Sequence, residues 1–343
     1  MTTGPTPLRI ETPEALRDLM RLDFTFSEAQ FAAITAPLSP AVVIAGAGSG
    51  KTAVMAARVV WLVATGQVRS DQVLGLTFTT KATSELGGRI RESLRRAGLI
   101  SQPGDEGEVE EPTVATYHSY AASLLTDYGL RIGHEPDTRL IADASRYQLA
   151  ARAIQRFTKP IELLTDHPET AINNLLALDA AMTEHLVTPE EVRAYDAKQR
   201  PLFVEGMATE HRKTYRDKND KAISAIDRRA ELLDLVEAYR GLKDHLGLMD
   251  FADQIALAAR LARDCPEVGE AEREKFTVVL LDEYQDTSVA QALMLRRLFS
   301  GPEPEHGLGH PVTAVGDPNH AIYGWRGASV SNILNFASEF PSA

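Results

Sequence analysis

Ala41-Val42-Val43-Ile44-Ala45-Gly46-Ala47-Gly48-Ser49-Gly50-Lys51-Thr52 is the stretch that decides the fold. Its first four residues read as a buried strand. The glycine-rich run after them opens a helix-like segment, Ala53 to Ala64. Strand, glycine turn and helix N-terminus in that order make a phosphate cradle. Glycines let backbone N–H groups approach phosphate oxygens, and the helix end adds partial positive charge. Lys51 can reach β- and γ-phosphates, and the Thr52 hydroxyl can ligate Mg²⁺. Ala45, Gly46, Ala47, Gly48, Ser49, Gly50, Lys51 and Thr52 are thus the candidate nucleotide-binding set. One position departs from the G-x-x-x-x-G-K-S/T pattern, since Ala45 stands where glycine opens it. A chance glycine-rich turn would lack the flanking strand and helix.

A phosphate cradle needs an acid to hold the metal and a group to orient or deprotonate water. Phe276-Thr277-Val278-Val279-Leu280-Leu281 reads as a second buried strand, and it ends in Asp282-Glu283-Tyr284-Gln285-Asp286-Thr287. A carboxylate at the C-terminal end of a parallel strand faces the ligand crevice of an α/β sheet. Asp282 is therefore the expected Mg²⁺ ligand and Glu283 the expected catalytic carboxylate, with Lys51 completing the catalytic set. The bland alternative is an acidic cap for the helix expected over Ser288 to Phe299. About 230 residues separate Lys51 from Asp282. Units of a doubly wound sheet recur every 30 or so residues, so a sizeable insertion is expected between them.

A third strand-to-loop segment runs from Val312 through Gly316-Asp317-Pro318-Asn319-His320 to Ala328. It contains Tyr323, Trp325 and Arg326. Two aromatics and a guanidinium can stack on unpaired bases and neutralise phosphate, or they can be ordinary core residues.

With these segments in place, the chain resembles the UvrD/Rep/PcrA-type superfamily 1 DNA helicases over nearly its whole length. Phe26-Ser27-Glu28-Ala29-Gln30 resembles the Q motif, whose glutamine reads adenine. Ala45 to Thr52 resembles motif I, where alanine at the first position is common. Leu76-Thr77-Phe78-Thr79-Thr80-Lys81-Ala82 resembles motif Ia, and Thr116-Tyr117-His118-Ser119 motif Ib. Leu248-Met249-Asp250-Phe251-Ala252-Asp253 resembles the segment before motif II. Asp282 to Thr287 resembles motif II and Gly316 to Ala328 motif III. The resemblance implies ATP and Mg²⁺ as cofactors, with Gln30 on the base and His320 near the γ-phosphate. It implies a single strand of DNA along Phe78, Tyr117, His118, Tyr323, Trp325 and Arg326. It also implies 3′→5′ movement, a role in DNA repair or recombination, and duplex-junction DNA as a partner.

Three positions depart from the family pattern. His320 stands where glutamine senses the γ-phosphate, so coupling of nucleotide to DNA is expected to be weaker or pH-sensitive. Ala53 stands where an arginine stacks on adenine, so looser base selectivity is expected. Thr80 replaces an asparagine, with no consequence read from it.

The implied fold is α/β: a RecA-like P-loop NTPase domain with a parallel sheet, interrupted by an inserted all-α domain. Residues 1–22 read as a flexible N-terminal segment and 23–130 as the first part of the ATPase domain. Residues 131–246 read as the inserted helical domain (1B by resemblance), and 247–343 as the second part. Within the first part, strands are expected over Val73–Phe78 and Thr113–Thr116, and helices over Thr83–Ala97 and Tyr117–Tyr128. The insertion reads as helices over Ala144–Phe157, Pro168–Ala181, Pro189–Lys198 and Ala222–His245.

Composition fits a globular protein, with 44% hydrophobic and 24% charged residues. Cys265 is the only cysteine, which excludes a disulfide framework and a cysteine-rich zinc site. No signal-peptide core or long apolar run occurs, so the expected location is a reducing cytoplasm with no membrane contact. The net charge of −12 looks wrong for a DNA partner. Phosphate affinity depends on local cations, however, and Arg193 to Arg229 holds ten Lys/Arg against six Asp/Glu. Arg212, Lys213, Arg216, Lys218 and Lys221 are the expected backbone contacts, against the plainer reading of a solvated helix.

The family's motifs IV to VI sit on a second RecA-like domain that is missing from this sequence. Slow ATP hydrolysis and no unwinding are therefore expected of these residues alone. Two alternatives stay open: the motor subunit of a helicase–nuclease that resects DNA ends with a partner subunit, and a DNA-bound nucleotide switch that does not unwind. A small-molecule P-loop kinase would have no use for the aromatic–arginine loop.

Overall fold

The computed structural model describes residues 7–100, 110–135, 137–165, 167–321 and 330–342. The chain divides into two compact units. One is built from residues up to 133 and from 257 onward, the other from 134–256. The change in sequence pattern places the edges at 131 and 246 instead.

In chain order the strands are β1 Ala41–Ile44, β2 Val73–Thr77, β3 Thr113–Thr116, β4 Arg139–Leu140, β5 Leu248–Met249, β6 Val278–Leu281 and β7 Val312–Gly316. Five of them form the parallel sheet of the first unit, in the order β1-β7-β6-β2-β3. Its three central strands are buried along their whole length, as their unbroken apolar runs require when helices cover both faces. β1 pairs with β7 in the register Ala41↔Thr313 to Ile44↔Gly316, and β6 pairs with β2 through Leu281↔Leu76. Strands from after the insertion thus fill the gap between β1 and β2. The end of β7 lies between the end of β1 and the end of β6.

The phosphate-loop helix, Lys51–Ala64, buries Val54, Met55, Ala57, Val59, Val60 and Leu62. Arg58 on that helix is also buried, at 1% exposure. It has no carboxylate partner among the described residues. Its guanidinium instead donates to the carbonyls of Ile34, Ala36 and Pro37 at 3.0, 2.8 and 3.2 Å, and to Thr313 Oγ1 at 3.2 Å. A donor-only fork suits the orphan carbonyls at the end of the helix Glu28–Ile34. Burial lowers this guanidinium to about 10.

The second unit is helical except for the two-residue parallel pair β4–β5. Leu149, Ala150, Ile172, Leu175, Leu235, Val236 and Tyr239 form its core. Its helix Pro189–Thr209 runs through Pro201, past the end at Lys198 that the sequence pattern predicts. Ion pairs bind it to the long helix Lys213–His245: Arg193 to Asp234 and Glu237, Arg200 to Asp227, and Arg229 to Asp196. Tertiary contact of this kind overrides the local cost of an interior proline. The long helix likewise starts nine residues ahead of the expected Ala222. No helix among the described residues is long and apolar enough to cross a membrane.

Candidate nucleotide site

Gly48 and Gly50 take positive φ values of 76° and 82°, which only glycine adopts without strain. Gly50 is the N-cap of the helix Lys51–Ala64 and offers no side-chain acceptor. The first N–H groups of that helix therefore remain for an anion. The loop is anchored at its start, where the Ala45 N–H donates to the Gly316 carbonyl at 3.0 Å.

Gln30 reaches the same loop. Its Nε2 donates to the Ser49 carbonyl at 3.0 Å, and its Oε1 accepts from the Ser27 N–H at 2.9 Å in a capping box. Both ends of the carboxamide are thus occupied by protein, and Gln30 braces the phosphate loop in this state.

Lys51 Nζ lies 3.3 Å from Glu283 Oε2, so the loop lysine and the expected catalytic carboxylate, 232 residues apart, meet. Glu283 holds a left-handed backbone, φ 50°, a strained conformation for a residue with a Cβ. Asp282 Oδ1 accepts from the Glu283 N–H at 3.0 Å. Burial pushes the Asp282 carboxyl up to about 6, and the neighbouring Glu283 charge adds to this. Asp282 Oδ2 has no hydrogen bond among the described residues. A buried carboxylate with a spare oxygen and an unfavourable charge fits a divalent cation, as does the Thr52 hydroxyl on the first turn of the loop helix.

Gln285, next but one to Glu283 within the motif II segment, joins the site, a placement for which no role is read from the sequence. It is fully buried and donates to Glu283 Oε2 at 2.8 Å and Asp286 Oδ2 at 3.1 Å. Its Oε1 accepts from the Asp317 N–H at 3.1 Å. Its place in the motif II segment marks it in the sequence; the strand order, which puts Asp317 beside it, shows what it binds. The flanking residues are tied down too. Tyr284 packs edge-on against Phe336, and Asn332 donates to the Thr287 carbonyl at 2.9 Å.

The expected strand-lining residues fare differently. Tyr117 is fully buried, its hydroxyl donating to the Asp282 backbone carbonyl at 3.2 Å. A ring without exposed surface cannot act as a base platform, so Tyr117 is a brace for the Asp282 turn. Phe78 packs on it, ring centroids 4.7 Å apart, and is half-buried, as is His118. Tyr323, Trp325 and Arg326 lie outside the described residues. His320 is exposed on the turn after β7, and its N–H donates to the Asp317 carbonyl at 3.0 Å.

Comparison with known proteins gives this geometry a lineage. DNA helicase II of Escherichia coli strain K12 is 29% identical over 326 residues, covering 95% of this chain and 38% of that protein. The ATP-dependent DNA helicase PcrA of Leuconostoc citreum is 29% identical over 315 residues, covering 92% and 35%. PcrA of Staphylococcus aureus strain Mu50 is 27% identical over 317 residues, covering 92% and 36%. The chain thus spans well under half the length of these relatives. The UvrD/REP helicase N-terminal domain matches residues 26–341, a span that holds the whole parallel sheet and the phosphate loop, so this chain belongs to that family.

Proposed function

We propose that this chain is the ATP-hydrolysing N-terminal part of a DNA motor that moves along single-stranded DNA. The observation that carries this reading is the meeting of Lys51 with Glu283 at 3.3 Å beside the buried Asp282. A loop for phosphates, a metal-ready carboxylate and a carboxylate for water share one crevice of one sheet. In this reading ATP phosphates take Lys51 from Glu283 and bind the free N–H groups of the loop. Thr52 and Asp282 would hold Mg²⁺, which supplies charge neutralisation between the phosphates. Water gives a proton to Glu283 as its oxygen bonds the γ-phosphorus, and ADP leaves with the electron pair of the bridging oxygen. Gln30 would exchange its bonds to the Ser49 carbonyl and the Ser27 N–H for the base, and His320 faces the γ-phosphate. Phe78, His118, Tyr323, Trp325 and Arg326 serve the strand, in the 3′→5′ sense the family implies.

The test is ATP turnover with and without single-stranded DNA, on this chain and on the longest natural product that contains it. Turnover that DNA stimulates, and that Glu283→Gln abolishes, is the expected result. Nucleotide binding without DNA-stimulated turnover in either protein would overturn the motor reading in favour of a switch.

A further inference from the structure

We propose that Gln285 is the positioning residue for Glu283, linking the backbone at the end of β7 to the carboxylate that acts on water. The proposal rests on the hydrolase reading above.

A carboxamide with no exposed surface must find partners for all its polar groups. Gln285 does so in one orientation only. The Asp317 N–H can only donate, so the atom facing it is Oε1. The NH₂ group is thereby turned toward carboxylates, and it reaches Glu283 Oε2 and Asp286 Oδ2. The backbone of β7 thus decides which end of Gln285 faces Glu283.

Two further observations give this link consequence. Glu283 sits on a strained left-handed backbone, a conformation that persists only where surroundings hold it. Gln285 binds Oε2, a contact that stays when ATP draws Lys51 away, while Oε1 has no hydrogen bond among the described residues. Oε1 is therefore the oxygen left to accept a proton from water. The joint also has no slack. A Cβ built on Gly316 would lie 2.2 Å from Gln285 Oε1 and 2.8 Å from Ile333 Cδ1. A displacement of the end of β7 must move Gln285, and Glu283 with it.

The experiment is steady-state ATP hydrolysis by the full-length protein with single-stranded DNA, from about pH 5.5 to about pH 9, the range in which a general base shows its limb. Gln285→Glu keeps the acceptor for the Asp317 N–H but sets a like charge against Glu283. We expect kcat to fall about 100-fold, the low end for loss of a positioned base, with KM for ATP little changed. The acid limb of the profile should move up, because adjoining carboxylates retain a proton. Gln285→Leu should also lose kcat, and the limb should rise there too, because a carboxylate that loses a hydrogen-bond donor holds its proton more tightly. Wild-type kcat and an unmoved profile in Gln285→Glu would overturn the proposal, as would a loss confined to KM. Thermal midpoints and affinity for a non-hydrolysable ATP analogue identify a variant that has lost its fold. If Gln285→Leu is such a variant, the isosteric Gln285→Glu decides. The wild-type rate and its loss in Glu283→Gln report on the hydrolase reading alone; the ratio of Gln285 variants to wild type reports on Gln285.

Discussion

Asp282, buried, and His310, half-buried, are two groups whose protonation pulls stability in opposite directions. Burial holds Asp282 at about 6 against an ordinary 3.8. Between those values the folded chain binds more protons than the unfolded one, so stability falls as pH rises, and the whole penalty is present above pH 6. A carboxyl raised that far carries a cost on the order of 2–3 kcal/mol when it is ionised. Asp282→Asn should therefore raise the melting temperature near neutrality and leave it little changed near pH 4, even as it removes the proposed metal ligand. Thermal denaturation at both pH values checks this. His310 is the mirror case. Its ring stacks on Phe299 at 5.7 Å between centroids, and its Nε2 lies 2.9 Å from the Phe276 carbonyl. Burial lowers it from 6.5 to about 4. Here the unfolded chain binds more protons in the window, so stability falls as pH drops from 6.5 to 4. His310→Phe should remove that acid loss. The two slopes offset each other in the wild type between about pH 4 and 6, and each single variant should unmask the other. Neither behaviour is legible in the sequence, since each depends on what the fold packs around the group.

At the scale of elements, the strands are legible in the sequence and the joints between them are not. Apolar runs announce the strands, and the glycines announce the turn after β1, but β1, which reads as buried, is an edge strand with Val42 and Ile44 exposed. The strand order stays hidden, and with it the fact that β7 separates β1 from β6. Helix ends inside the second unit escape the pattern for the same reason, because packing and ion pairs carry helix Pro189–Thr209 through a proline. Tyr117 reads as a platform for bases and is instead a brace, because its motif carries no mark of burial. Arg58 is the joint with the clearest consequence. Replacing it with Met would leave the carbonyls of Ile34, Ala36 and Pro37 without their donor. We expect a loss of about 2–4 kcal/mol in a urea titration. The helix Glu28–Ile34, which carries Gln30, should also lose hydrogen-exchange protection ahead of the sheet.

Over the whole molecule, an acidic total hides a sorted surface. The second unit uses Arg193, Arg200 and Arg229 in ion pairs between its helices. Arg212, Lys213, Arg216, Lys218 and Lys221 are all exposed, and no ion pair is seen for them among the described residues. Arg212 and Lys218 lie 5.8 and 5.4 Å from the ring centroid of the exposed Tyr215. Cations at the start of a helix oppose its dipole, so this placement costs stability that an anionic partner would return. Counting cations needs only the sequence; knowing which of them are spoken for needs the fold. The double variant Lys213→Glu, Arg216→Glu should weaken DNA binding by the full-length protein. It should also flatten the dependence of log affinity on log salt by roughly two. Fluorescence anisotropy across a salt series measures both.

The pairing of β1 with β7 also sets an order of events in time. On a ribosome the phosphate loop emerges early, yet its strand has no partner until β7 follows, 272 residues after Ala41 by the register Ala41↔Thr313. At ordinary synthesis rates that wait is roughly 15 to 50 s. Until then β1 is a short strand with Val42 and Ile44 uncovered, residues that stay 38% and 60% exposed even in the finished sheet, and such edges invite wrong pairings. A finished phosphate loop would therefore have to wait for β7.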